Sequence, residues 1–190
     1  MKSEKEIEEL LIKYEIFQKG HFLLTSGLHS EFYFEKSRII QHPFLVADFS
    51  FPIKERFQKE KVDLVVGPTT GGAIIAYEVA RQLGSRFSYA EKGETGGRKI
   101  RKGFEIKKGE MVLVVDDVLT TGGSIQETIN ALKEYQVNIV GVGVFIDRSP
   151  GVNFPFPFFA CYRKEIKNYE PKSCPLCVLG IPLSIPGKGK

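Results

Sequence analysis

One design is written twice along this chain. Val62-Asp-Leu-Val-Val66 is a short apolar run, Gly67-Pro-Thr-Thr-Gly-Gly72 a tight loop, and Ala73 to Leu83 has helical periodicity. Met111–Val115, Asp116–Gly123 and Ser124–Tyr135 then repeat that order, and further strands are expected around Arg86–Ala90 and Val137–Ile146. Apolar strands alternating with helices specify βαβ units, and therefore an α/β fold whose parallel β-sheet is flanked by helices. Ligands of such sheets bind beyond the carboxyl ends of the strands. Both glycine-rich loops fall there, which makes them the candidate site.

The rest of the chain fits around that core. Ile7, Leu10, Leu11, Tyr14 and Phe17 predict one apolar face of an N-terminal helix, and the aromatic segment His21 to Phe34, broken by Ser-Gly, predicts a short hairpin. Pro43 opens a helix toward Lys59, with Pro52 as a kink or interruption. The chain reads as a single domain, 1–190, with its binding core at 60–150. With 42% hydrophobic and 26% charged residues, it has the apolar content to close a core and is not disordered by composition. Its longest apolar stretches, Met111–Val115 and Ile139–Ile146, are too short to span a bilayer, and Met1 to Glu9 lacks the apolar run of a signal peptide. The expected setting is cytoplasmic, with no membrane partner.

Cys174-Pro-Leu-Cys177 has the spacing of half a zinc site, but only Cys161 and three distant histidines remain to complete four ligands. The pair therefore reads as reduced thiols in a C-terminal turn.

Charge is concentrated in one place. Arg86 to Lys108 holds eight basic residues against Glu91, Glu94 and Glu105, within a net charge of only +4 for the whole chain. Gly93, Gly96, Gly97 and Gly103 interrupt that segment, so it reads as a mobile basic loop able to fold over a small polyanion. No aromatic residue lies between Glu91 and Gly103, which argues against a nucleic-acid partner.

The most informative run is Val112-Leu-Val-Val-Asp-Asp-Val-Leu-Thr-Thr-Gly-Gly-Ser124. Its apolar start buries a strand. Asp116 and Asp117 follow at the strand's carboxyl end, where adjacent like charges are a poor structural choice and serve best beside vicinal hydroxyls or a divalent cation. Val118 and Leu119 lead to Thr120 and Thr121, which offer hydroxyl donors, and Gly122 and Gly123 let backbone amides converge. The helix starting near Ser124 turns the positive end of its dipole to the same point. The combination suits a ribose above the acids and a phosphate in the Thr-Thr-Gly-Gly-Ser cradle.

That run resembles the PRPP-binding fingerprint of the type I phosphoribosyltransferases (PRPP is 5-phosphoribosyl 1-diphosphate). The Gly67–Gly72 loop, with Thr70 and Gly71, is similar to their pyrophosphate loop, and Glu91–Gly103 to their mobile catalytic loop. Gly20-His-Phe-Leu-Leu-Thr-Ser-Gly-Leu-His-Ser30 with Glu31-Phe-Tyr-Phe34, Ile146-Asp-Arg148 and the ending Cys-Pro-Leu-Cys…Gly-Ile-Pro-Leu…Pro-Gly resemble the orotate-specific members. The resemblance implies transfer of ribose 5-phosphate from PRPP to orotate with release of pyrophosphate, a step of pyrimidine (UMP) biosynthesis. It also implies Mg²⁺, held mainly by PRPP near Asp116 and Asp117, and a homodimer sharing its loop across the interface. Residues 1–40, with part of the C-terminal segment, would form a hood over the base. Thr120 and Arg148 would address orotate, whose carboxylate a guanidinium matches in bidentate fashion. Lys92 would be catalytic beside Asp116 and Asp117, with Arg98, Lys99, Arg101 and Lys102 also reaching the diphosphate. Three positions depart from the family pattern: Thr25 and Gly71 replace usual lysines, and Glu91 a usual arginine. A purine-specific enzyme and a PRPP-sensing, nucleic-acid-binding regulator are the competing readings; Arg148 and the Phe32-Tyr33-Phe34 segment oppose the first, and the lack of a helix-turn-helix pattern the second.

Overall fold

The computed structural model describes residues 4–24 and 26–186. In chain order it contains α1 (Glu4–Lys13), β1 (Phe17–Leu23), β2 (His29–Phe34), α2 (Ser37–Gln41), α3 (Pro43–Phe57), β3 (Leu64–Pro68), α4 (Gly71–Leu83), β4 (Arg86–Lys92) and β5 (Arg98–Ile100). β6 (Met111–Leu119), α5 (Gly123–Leu132), β7 (Asn138–Asp147), β8 (Phe158–Arg163), β9 (Asn168–Tyr169) and α6 (Pro175–Val178) complete it. Among the described residues no helix is long and apolar enough to cross a membrane.

The chain divides into two compact units, one formed by Ile40–Lys164 and the other by its two ends, Met1–Ile39 and Glu165–Lys190.

The central unit holds a six-stranded sheet in the order β5-β4-β3-β6-β7-β8. All neighbours pair in parallel except β4 and β5, which are antiparallel. The twice-repeated design of the sequence is the β3-α4-β4 and β6-α5-β7 crossovers. β3 sends its crossover to one side and β6 to the other, so the order reverses between them. That is the topological switch point, where the loops at the strands' carboxyl ends splay apart and leave a crevice. β3 and the first half of β6 are buried on both faces, as their unbroken Leu/Val composition requires. Leu64, Val66, Val112, Val114, Ile125, Ile129 and Leu132 form one core layer with α5. A fully buried side chain such as Leu113 contributes about 1.5–3 kcal/mol.

Several boundaries move from their sequence-based positions. β6 runs four residues past Val115 to Leu119, because Asp116, Val118 and Leu119 continue the ladder with β7. The acid pair is thus strand rather than loop. α5 stops at Leu132 and a 3-10 turn carries on to Tyr135, and α3 stops at Phe57, followed by a turn over Gln58–Glu60. Pro52 does not interrupt α3; it withholds a single N–H from the ladder.

In the unit of the chain ends, β1 and β2 form the expected hairpin, and β9 adds to β2 from the far end of the chain. α1 buries Ile7 and Leu11. Phe17 is not on that helix face: Glu15, with φ of 53°, turns the chain left-handed and starts β1 two residues later. Phe17 stacks instead on Phe32 and Phe34, with ring centroids 4.8 Å apart in each pair.

Candidate active site

The carboxyl ends of β3, β4, β6 and β7 lie on one edge of the sheet, and each carries a candidate site segment. Thr70 and Gly71 follow β3, Lys92 closes β4, Asp116 to Ser124 run from β6 into α5, and Arg148 follows β7. Four pieces chosen from a linear sequence are therefore brought to one edge by the parallel sheet.

Asp116 and Asp117 are the centre of this arrangement and are buried, at 5% and 3% exposure. Burial of two adjacent carboxylates requires donors to hold them, and the local backbone supplies two. The Asp117 N–H donates to Asp116 Oδ1 at 2.8 Å, and the Val118 N–H to Asp117 Oδ1 at 2.7 Å. Ser124 Oγ donates to Asp116 Oδ2 at 2.7 Å, so the first turn of α5 is tied to the strand that precedes it. α5 begins after Gly122, whose φ of 79° is left-handed and favours glycine. Thr120, Thr121 and Gly123 are exposed around that start, and the helix's first-turn amides have no acceptor within the helix. Hydroxyls, free amides and the helix dipole converge there on an anion-sized space.

The first glycine-rich loop meets the acids directly. A Cβ on Gly71 would overlap the Asp117 carboxylate, and one on Gly72 would lie 2.6 Å from Pro68 Cδ and 2.9 Å from Asp116 Oδ1. Gly71 therefore has a local reason to be glycine, since the start of α4 packs against the acid pair. The connection from β3 into α4 includes a cis peptide between Thr69 and Thr70. Arg148 is half-buried, and its N–H donates to the carbonyl of Leu119 at 3.0 Å, which fixes its backbone beside Thr120. The neighbouring Asp147 accepts from the Ser149 N–H at 2.9 Å and pairs with Arg163 at 3.4 Å.

Residues 37–170 match the family model described as a phosphoribosyl transferase domain. The orotate phosphoribosyltransferase of Thermoanaerobacter sp. (strain X514) is 48% identical over 187 residues, covering 98% of each chain. That of Thermotoga maritima is 44% identical over 182 residues, covering 95% of this chain and 97% of its own. The chain belongs to the orotate phosphoribosyltransferase family. Its fold is similar to the crystal structure of the Aeropyrum pernix orotate phosphoribosyltransferase, with a TM-score of 0.70 at 24% identity, covering 92% of this chain and 98% of that one.

The basic segment is a two-stranded ribbon at its base. Glu91 and Lys92 end β4, and Arg98–Ile100 pairs back on it, with Lys92 opposite Arg98. Within this ribbon the cations are not equivalent. The Arg98 side chain is only 8% exposed; it donates to the carbonyl of Ala90 at 3.1 Å and lies 3.6 Å from Glu127 on α5. Lys99 pairs with Glu94 at 3.6 Å and Arg101 with Glu91 at 3.3 Å. Lys92 and Lys102 are exposed and form no ion pair among the described residues. Thr25 lies outside the described residues.

Two features escaped sequence reasoning. Glu127 has nothing in its surroundings along the chain to mark it as the partner of Arg98. Cys161 is half-buried, and its Sγ donates to the Phe49 carbonyl at 3.1 Å; desolvation of the thiol pushes its pKa up, so it stays protonated.

Proposed function

We propose that this chain joins orotate to the ribose 5-phosphate of PRPP, giving orotidine 5'-monophosphate and pyrophosphate in de novo pyrimidine synthesis. The observation that carries the reading is the buried acid pair leading into the Thr120–Ser124 cradle at the sheet's switch point. Such a site offers carboxylates to vicinal ribose hydroxyls and amides with a helix N-terminus to the 5-phosphate. The reaction breaks the C1–diphosphate bond and forms a C1–nitrogen bond to the base, with oxocarbenium character between. Asp116 and Asp117 orient the ribose and balance positive charge growing on its ring. Thr120 and Arg148, fixed side by side through the Leu119 carbonyl, hold orotate, the guanidinium facing its carboxylate. Thr70 and the α4 N-terminus at Gly71 receive the departing diphosphate, together with Lys92 and Lys102. Arg98 supports the ribbon that presents Lys92, and Lys99 and Arg101 add positive charge around it.

The donor set also fits Mg²⁺. The acids are hard oxygen ligands, and two carboxylates completed by substrate phosphates are a usual magnesium arrangement, in contrast to an all-protein cage. When bound there, the ion neutralises diphosphate charge. The same reading makes the enzyme a cytoplasmic homodimer; Phe44 and Phe51 on α3 and Ile74 and Tyr77 on α4 are exposed apolar side chains suited to a subunit contact. A Lys92→Ala subunit paired with an Asp117→Asn subunit then regains activity if the loop serves the neighbour's site, and a verified heterodimer without recovery refutes sharing.

The deciding experiment is a panel of orotate, uracil, adenine, guanine and xanthine with PRPP and Mg²⁺, read by pyrophosphate release. Release with orotate alone is expected. Release with a purine, or with none, overturns the assignment.

A further inference from the structure

The unit of the chain ends brings together four side chains that have no part in the chemistry above. His21, His29, Cys174 and Cys177 each present one ligand atom, and these atoms all lie within 4.8 Å of one another. From these positions we infer a structural zinc site of the Cys₂His₂ type that clasps the two ends of the chain. The thiol pair read from sequence as a bare turn lacked two ligands only because its histidines lie more than a hundred residues away; folding removes that distance.

The spacing fits one tetrahedral ion. Zn–N bonds of about 2.0–2.1 Å and Zn–S bonds of about 2.3 Å at tetrahedral angles put N···N at roughly 3.4 Å and N···S at roughly 3.6 Å. Here His21 Nε2 lies 2.9 Å from His29 Nδ1, 3.5 Å from Cys174 Sγ and 3.8 Å from Cys177 Sγ, and His29 Nδ1 lies 3.4 Å from Cys177 Sγ. A hydrogen bond between the two imidazoles would account for the first distance alone. It would leave unexplained why two sulfur atoms close on the same nitrogens.

The His21 tautomer is also the one a metal needs. His21 Nδ1 lies 2.8 Å from the carbonyl of Ile181, which can only accept, so Nδ1 carries the proton and Nε2 turns its lone pair inward. That backbone anchor on the far nitrogen is the usual support of a metal-bound histidine. Two thiolates, two neutral imidazoles and one Zn²⁺ sum to zero charge, which suits a site where His21, His29 and Cys174 are buried. Cys177 is exposed and leaves a way in. Paired nitrogen and sulfur ligands in a tetrahedron select zinc over the hard cations.

The surroundings explain what such an ion does. Cys174 and Cys177 flank the start of α6, and the chain beyond is held by the bond from the Ile181 N–H to the Leu176 carbonyl, 3.1 Å. The Ser184 N–H donates to the His21 carbonyl at 2.8 Å, and the Leu23 N–H to the Ser184 carbonyl at 2.9 Å. β9 offers β2 only two residues. A unit of this size with so short a pairing gains most from a cross-link.

Metal content of the full-length protein, purified without chelator, tests this. About one zinc per chain is expected. Replacement by cobalt(II) should give the intense visible bands of a tetrahedral ion with thiolate-to-cobalt charge transfer. Cys177→Ala should lose the metal, and Cys161→Ala should keep it. Cys177→His should keep it with weakened charge transfer, a readout that stands if the alanine variant fails to fold. Wild-type protein that takes up neither zinc nor cobalt, that gives a cobalt spectrum without thiolate character, or that carries a Cys174–Cys177 disulfide when rapidly alkylated, overturns the site.

Discussion

Two regions of this chain crowd ionisable side chains together, and they do so by opposite means. The acid pair of β6 is adjacent in sequence, and the Asp117 and Val118 amides and Ser124 Oγ that donate to it all come from within eight residues. The His/Cys cluster of the chain ends joins residues separated by as many as 156 positions. The first draws on backbone amides and a hydroxyl of its own segment, so its shape follows wherever the strand–loop–helix forms. The second exists only when both ends are in place, so its members hold the ends together and are held by them. A local constellation can be given over to substrate, while a long-range one is best used for closure.

Breaking the local region should have the largest effect on turnover. Asp117→Asn keeps an acceptor for the Val118 amide but removes the charge, so turnover should fall by about a hundredfold or more while the melting temperature moves little. Thermal unfolding beside pyrophosphate release checks this, and an unfolded or fully active variant would sink the ribose assignment. Arg148→Ala should raise the orotate KM by about one to two decades, from the loss of a charge-assisted contact of roughly 1.5–3 kcal/mol. Equal losses for orotate and PRPP would move Arg148 away from the base. Gly71→Ala drives a methyl into the Asp117 carboxylate, and should cost about 1–3 kcal/mol in chemical denaturation as well as activity. A neutral result would mean that the α4 start yields without disturbing the acids.

The smallest effects should separate two neighbours on the ribbon. Lys92→Ala should lower turnover without a change in melting temperature. Arg98→Ala should do the reverse, since it strips a buried guanidinium from the Ala90 carbonyl and Glu127. Matching profiles for the two variants would mean that burial does not divide their roles.

The same contrast governs what could be read in advance. The parallel sheet, both crossovers and the Val112–Ser124 run were legible because period, loop chemistry and acids are contiguous. The strand's extension to Leu119 was not, because it depends on the ladder with β7. The different fates of Arg98 and Lys92 were not either, since both look like loop cations until Glu127 arrives from α5. The zinc ligands were half visible: Cys174 and Cys177 announce a spacing, while His21 and His29 look like two ordinary hairpin residues until β9 and α6 return.

That both chain ends make one unit also has a consequence during synthesis. The β1–β2 hairpin leaves the ribosome early, but β9 and the two cysteines follow only after residues 40–164. At about 5–20 residues per second, that interval is roughly 6–25 s. For that time Phe17, Phe22 and Phe34 wait on a two-stranded hairpin without its third strand, while the central sheet can already form. A ribosome stalled with β8 already outside and Cys174 still in the exit tunnel would therefore display a protease-sensitive hairpin beside a folded middle, and emergence of Cys174 and Cys177 would be the event that locks it.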